Sequence, residues 1–407
     1  MPILKNIALL ATPRTGARQG DLLQIKGAAI VWERDKITWI GPERELPTGL
    51  NMAEVFDAHG ALLIPGLIDC HTHLAFGGWR AEEFAQRNAG RTYLEIAQQG
   101  GGIMSTVRAT RDASFDTLLS LCCARIQAMS HLGVTTIEAK SGYGLSVADE
   151  IKILEVYAAA RSRTALTVVS TFLGAHTIPG EYHNNRAGYL ELVIEQMIPE
   201  VARRGLASFC DCFVEMGAYS VEEARTILTA ARTFGLELKL HVDQLSDGMG
   251  GKLAADLKAI SADHLEHVSD TSIAAMARAD VVGVILPIAT LYTHEQPLDA
   301  RRLIAKGVSV AVATDFNPGT APSYHLPFAM LLACSMNRMS PLEVLDGATR
   351  MAARALKLGG VRGTLEVGKQ ADFALIDAPS IEQWLYHFVP NACLATIKDG
   401  SLVYGRI

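Results

Sequence analysis

The sequence has no dense run of lysine and arginine, no long apolar run and no even set of cysteines. Its 37 basic and 43 acidic residues leave a net charge of −6, whereas nucleic acids and anionic membranes select basic patches. The composition therefore argues against a nucleic-acid or membrane partner. No apolar stretch reaches the roughly 20 residues that a spanning helix needs. The first one (Ile3, Leu4 and Ile7 to Ala11) is broken by Lys5 and Asn6 and reads as a strand, not a secretory leader. Seven cysteines do not form a disulfide framework, so they read as buried reduced thiols of a cytoplasmic protein. No Gly-x-Gly-x-x-Gly turn follows an early strand, and no Lys-Ser/Thr pair follows Gly100-Gly-Gly102, which leaves that stretch as a flexible loop and not a phosphate cradle.

What is present is alternation. Short strand-like runs at 22–26, 29–33, 37–41, 55–58 and 61–64 carry hairpin spacing, and the C-terminal runs around 363–377 and 395–405 repeat it, with Asp399-Gly400 as a turn. A small sheet of this kind needs a packing partner. We therefore expect residues 1–64 and 359–407 to combine into one small composite β-sandwich domain. Between them, residues 65–358 alternate short apolar strands with helical stretches: strands at 133–137, 167–171, 208–214, 237–241, 261–264, 281–286 and 309–314, and helices at 147–162, 189–204, 221–234, 252–258, 271–279 and 299–306. With the strand before His71 this makes eight, which predicts an α/β fold of the TIM-like (β/α)8 barrel type.

A barrel of this kind carries its chemistry at the C-terminal ends of its strands, and polar residues collect there. His71 and His73 are two apart, so on a strand they point to one face. His241 ends a later strand, His264 ends the next, and Asp315 ends the last. Three imidazoles and a carboxylate (His71, His73, His241 and Asp315) suit a catalytic metal with room for a water, whose pKa a bound zinc or iron lowers to about 7. Lys140 and Glu138 follow the second strand, His176 the third and Glu215 the fourth. Glu138, Glu215, Asp243 and Asp263 read as support for the residues around them.

The chain resembles the amidohydrolase superfamily over nearly its whole length. The residues that carry the likeness are Pro65-Gly-Leu-Ile-Asp-Cys-His71-Thr-His73, the strand-end His241, His264 and Asp315, and the tail 363–377. Seven further stretches point to the single-metal branch that opens an imidazolone ring: Phe76-Gly-Gly-Trp-Arg80-Ala-Glu-Glu-Phe84, Gly100 to Thr110, Lys140-Ser-Gly-Tyr143-Gly-Leu, Thr171-Phe-Leu-Gly-Ala-His176, His241-Val-Asp-Gln244, Ser261-Ala-Asp-His264 and Thr314-Asp315-Phe-Asn317-Pro-Gly319-Thr320. The resemblance implies one divalent or trivalent metal per chain, zinc or iron, and a homodimer. It also implies attack of metal-bound hydroxide on the ring carbonyl of 4-imidazolone-5-propanoate, giving N-formimidoyl-L-glutamate in histidine degradation. Many relatives bridge two metals with a carboxylated lysine; Lys140 is read here as a structural residue instead.

The resemblance also assigns roles. His264 orients or deprotonates the water, and Asp315 accepts its proton while remaining a ligand. Arg80 clamps the carboxylate of the small anionic substrate, Tyr143 donates a hydroxyl hydrogen bond, and His176 binds the carbonyl oxygen. Gln244 stands where single-metal deaminase relatives carry a glutamate, which argues against a deaminase. Asn317, Gly319 and Thr320 complete the pocket. Blander readings stay open: an ion pair of Arg80 with Glu82 or Glu83, a plain turn at Tyr143, and simple packing by Phe76, Phe172 and Phe316. Two other functions also stay open, a different cyclic amidohydrolase or aminohydrolase of the superfamily and a non-catalytic protein retaining its fold.

Overall fold

The computed structural model describes residues 1–48, 54–91, 95 and 100–407. The N-terminal strands are β1 (Pro2–Pro13), β2 (Leu22–Glu33), β3 (Lys36–Pro42), β4 (Glu54–Asp57) and β5 (Leu62–Pro65). β2 runs unbroken where two short strands were expected, because Gly27 takes up a left-handed φ of 57° inside it. Eight parallel strands follow: β6 (Leu67–Asp69), β7 (Val134–Lys140), β8 (Thr167–Ala175), β9 (Phe209–Val214), β10 (Glu237–Val242), β11 (Ser261–His264), β12 (Val282–Ile285) and β13 (Val310–Val312). Each pairs with the next in sequence order. The first and last are joined beyond their ends, where Asp315 N donates to His71 O (3.0 Å) and His73 N to Phe316 O (2.8 Å). The ring is thus sealed at the same level as the strand-end histidines.

Helices cover the barrel where apolar periodicity placed them. Val147–Arg161, Val221–Thr233 and Asp270–Ala279 begin on the serine caps Ser146, Ser220 and Ser269, each accepting from the backbone three residues on. The expected helix over 189–204 starts earlier, at Arg186, and passes through a π segment, Val193–Met197. The helix expected from Lys252 starts at Gly250, since Asp243 accepts from Gly250 N and Gly251 N and draws them into its first turn. Among the described residues no helix is long and apolar enough to cross a membrane.

The chain then returns to the first sheet as β14 (Phe373–Ile376), β15 (Cys393–Lys398) and β16 (Ser401–Gly405), with β14 antiparallel to β5. The chain ends therefore make one eight-stranded sheet, a path of seven strands from β16 to β3 with β4 pairing off it against β1. Alternate residues explain why its central strands are buried on both faces. Leu62, Ile64, Ala374 and Ile376 join the barrel core, whereas Leu63, Phe373 and Leu375 join a second core with Trp32, Ile37 and Ile397. Sandwich-like packing thus arises from a single sheet around its own core. Phe373 sits edge-on to Trp32, 5.3 Å between ring centroids, so Phe373→Ala should cost about 3–5 kcal/mol. Urea denaturation read by tryptophan fluorescence checks this; an unchanged midpoint would mean that the C-terminal strands do not hold the N-terminal ones.

Candidate active site

Four side chains from three parts of the chain converge at the sealed mouth. His71 Nε2 and His73 Nε2 lie 3.4 and 3.5 Å from Asp315 Oδ1, and the His71 and His241 ring centroids are 4.4 Å apart. His71, His73 and Asp315 each offer one ligand atom within 4.8 Å of the others, and His71, His241 and His264 do the same. The geometry fits a cation because of what the other ring nitrogens do. His71 Nδ1 is 2.7 Å from Asp263 Oδ2, and His241 Nδ1 is 3.0 Å from Asp211 Oδ2. His71 donates Nδ1–H to Asp263 and so leaves its Nε2 lone pair facing the centre, and the Asp211 carboxylate beside His241 Nδ1 favours the same tautomer there. Both Nε2 atoms are buried without a hydrogen-bond partner. Burial holds His71 and His73 well below the ordinary histidine range, and neighbouring cationic groups add to it, so they are neutral donors. Burial pushes Asp315 up to about 7, and a bound cation would draw it back to the carboxylate. Three imidazole nitrogens and one carboxylate oxygen suit zinc or iron.

Asp315 is itself held. Its backbone is left-handed (φ 56°), and Asn317 Nδ2 donates to its Oδ2 at 3.1 Å and its carbonyl at 2.7 Å. Only Oδ1 remains turned toward His71 and His73.

Beneath the histidines lies a sealed group of charges. Lys140 Nζ contacts Asp211 Oδ2 at 2.7 Å and Glu138 Oε1 at 3.0 Å, and Lys239 Nζ contacts Glu138 Oε2 at 2.6 Å. All four side chains have no solvent exposure. Burial works against the Lys140 charge, but Asp211, Glu138 and Asp263 outweigh it and raise its pKa, keeping it an ammonium. Burial likewise opposes the Asp211 carboxylate, and the neighbouring His241 ring and Lys140 ammonium hold it below the usual range. Lys140 is thus held in three ion pairs, with Asp211, Glu138 and Asp263, and bridges the strands beneath the histidines.

Above the centre opens a cavity of about 610 Å3, which falls within the usual size for small-molecule sites. His73, His241, His264 and Asp315 reach it from below, and Arg80, Tyr143, His176, Gln244, Asn317 and Thr320 line its wall. His71 lies deeper. Gly319 does not line the cavity: a Cβ there would meet Arg80 Nη2 at 1.7 Å, so this glycine clears the space in which the guanidinium lies. Arg80 also pairs with Glu83 (Nε to Oε2, 3.3 Å), whose other oxygen accepts from Gly102 N. His176 Nδ1 is 3.1 Å from Gly142 O. A carbonyl only accepts, so Nδ1 carries the proton and Nε2 presents a lone pair; burial keeps the ring neutral. Glu215 is spent on Met216 N, Leu245 N and Ser246 Oγ, which ties the loop after β9 to the loop that carries Gln244.

Sequence reasoning did not single out Asp211, Lys239, Glu150 or Glu266. Glu150 accepts from Gly142, Gly144 and Leu145 and so shapes the Tyr143 loop. The available signal was a charge inside an apolar strand: Asp211 within Phe-Cys-Asp-Cys-Phe-Val, and Lys239 two residues before His241 on the same strand face.

A parallel eight-stranded barrel with this donor set at its mouth defines a class of hydrolases, and the chain belongs to the amidohydrolase family, whose model matches residues 62–403. Within the family it is similar to imidazolonepropionases. That of Symbiobacterium thermophilum is 45% identical over 98% of this chain and 95% of its own. That of Geobacillus thermodenitrificans is 45% identical over 97% of this chain and 94% of its own. The solved structure of atrazine chlorohydrolase from Arthrobacter aurescens, complexed with zinc, matches at a TM-score of 0.73 and 16% identity, covering 100% of this chain and 96% of that one. That last likeness is one of fold.

The charge network yields a stability prediction. Lys140→Met leaves Asp211 and Glu138 without their shared cation and should cost about 3–5 kcal/mol. Equilibrium urea unfolding measures it, and a loss within error of zero would show that the buried ions are not mutually dependent.

Proposed function

We propose that this protein is a metal-dependent hydrolase that opens the ring C–N bond of 4-imidazolone-5-propanoate to give N-formimidoyl-L-glutamate. The observation that carries this is a pair of candidate ligand trios that share His71, one with His73 and Asp315 and one with His241 and His264, on the floor of a cavity whose wall presents Arg80. His71, His73, His241 and Asp315 would hold the ion. When bound, it supplies Lewis acidity, which acidifies a water and polarises a carbonyl. Zinc or iron as its identity, and a homodimer as the assembly, rest on the family resemblance alone.

The chain's own groups do the rest. Arg80 forks onto the propanoate carboxylate, which anchors the ring end at the floor. Tyr143 donates its hydroxyl to the bound substrate. His264 takes a proton from the attacking water and returns it to the ring nitrogen that leaves. The water's oxygen ends in the new carboxylate, and its two protons end on the amidine. His176 presents a lone pair, so in its neutral form it accepts the ring N–H; it donates to the carbonyl oxygen only as an imidazolium. Gln244 has no acid–base chemistry and serves as a donor and acceptor toward the ring. Asn317 and Thr320 hold Asp315 and the cavity wall.

Incubation with 4-imidazolone-5-propanoate should abolish its ultraviolet absorbance and yield N-formimidoyl-L-glutamate by mass spectrometry. Chelation should stop turnover, and zinc or iron should restore it. A metal-loaded protein that left this compound intact while consuming guanine, cytosine or a hydantoin would overturn the assignment. Arg80→Ala should cost about 2–5 kcal/mol in kcat/KM, a loss of roughly thirty-fold or more. Steady-state kinetics on the propanoate substrate and on an imidazolone lacking the tail would separate the clamp from the chemistry, because only the first should suffer.

A further inference from the structure

One buried carboxyl at the mouth has no part in that chemistry. β11 ends at His264, and His264 (φ 81°) and Leu265 (φ 74°) are both left-handed, a backbone that L side chains rarely adopt. The turn folds Glu266 back beside the imidazole, with Oε2 3.9 Å from His264 Nδ1. Glu266 Oε1 is anchored by Thr290 Oγ1 at 2.7 Å, on the helix after β12, Pro287–Thr293. Its Oε2 and His264 Nδ1 are both buried without a hydrogen-bond partner. Two unpartnered buried polar atoms that face each other are a small side-chain adjustment from an N–H···O bond, and leaving both unmade is unfavourable.

We propose that Glu266 is a positioning residue for His264: it accepts Nδ1–H and so fixes the tautomer in which Nε2, on a ring that lines the cavity, carries the lone pair. This rests on the reading that His264 handles the water's proton. The carboxylate would also hold the imidazolium that forms when the ring takes that proton, while Thr290 keeps the carboxylate from turning away. The residue-by-residue likeness assigned Glu266 nothing; its placement becomes visible only from the left-handed turn.

The test uses zinc-loaded protein labelled with 15N-histidine. Two-bond 1H–15N spectra, with His264 assigned by its absence in His264→Asn, should show the Nδ1–H tautomer in the wild type and in Glu266→Gln, whose amide oxygen still accepts. Glu266→Ala should lose that preference. In steady state Glu266→Ala should lower kcat roughly 10- to 100-fold with KM little changed, and Glu266→Gln should recover most of the loss. Should the alanine variant not fold, Thr290→Val, which frees the carboxylate, should show the same kcat-selective loss in smaller measure. An Nε2–H tautomer in the wild type, or an alanine variant with unchanged kcat and tautomer, would overturn the proposal. A wild type that does not open the imidazolone would sink the functional reading, and the spectra would still decide the Glu266 contact.

Discussion

Two lysine ammoniums sealed inside the barrel are the constraint from which the site follows. Lys140 and Lys239 have no solvent, and an ion without water needs an opposite charge at contact distance. Glu138, Asp211 and Asp263 surround the two, three carboxylates to two cations. Asp263 Oδ2 and Asp211 Oδ2 in turn lie 2.7 and 3.0 Å from Nδ1 of His71 and His241. The rings of His241 and His71 are therefore oriented by the barrel's interior. The surplus negative charge beneath them favours a cation above.

This arrangement separates a rigid floor from an adaptable wall. The floor rests on strands β7, β9, β10 and β11, whose register places Glu138, Lys140, Asp211, Lys239 and Asp263 on the inward face. The ring closes through Asp69, which accepts from Thr314 N and Thr314 Oγ1. The wall hangs from loops, each tied by a different device. Arg125, a buried cation over the Phe76 ring at 3.6 Å, donates to the carbonyls of Leu74 and Phe76 and steadies the segment leading to Arg80. Glu83 links Arg80 to the glycine loop, and Glu150 shapes the turn of Tyr143. Loop residues can thus vary while the charged floor stays intact.

The barrel and its strand ends were legible because they depend on local pattern. Apolar runs of strand length mark the sheet, and a polar residue where such a run stops marks the mouth; His241 and His264 follow from that alone. The supporting charges were not legible, since a buried ion pair depends on the phase of strands far apart in sequence: Lys239 meets Glu138 only because β10 and β7 both turn those residues inward. Local signals also misplaced elements when a remote contact intervened, as at Gly250, where Asp243 reaches forward to start the helix. Gly319 read as a pocket residue from its neighbours, yet its lack of a side chain serves Arg80. The hydrogen-bond direction at His176 was beyond sequence altogether, because it is set by one carbonyl, that of Gly142.

Proton movement is the step that these constraints narrow most. Lys140 is locked in ion pairs, Glu215 is occupied by three donors, and Gln244 does not titrate, so none of them shuttles a proton. Asp315 is tethered through Oδ2 and directs Oδ1 to the histidines, a posture suited to a ligand. Arg80 is paired with Glu83. Outside the four candidate ligands, this leaves His264 and His176 as the histidines among the described residues that line the cavity. His176 is fixed as a hydrogen-bond acceptor while neutral, and a proton gained there would turn its nitrogen from the ring N–H to the carbonyl oxygen. His264 is the ring whose other nitrogen faces a carboxylate, that of Glu266, and in the proposed reaction that asymmetry favours it over His176 as the proton's resting place.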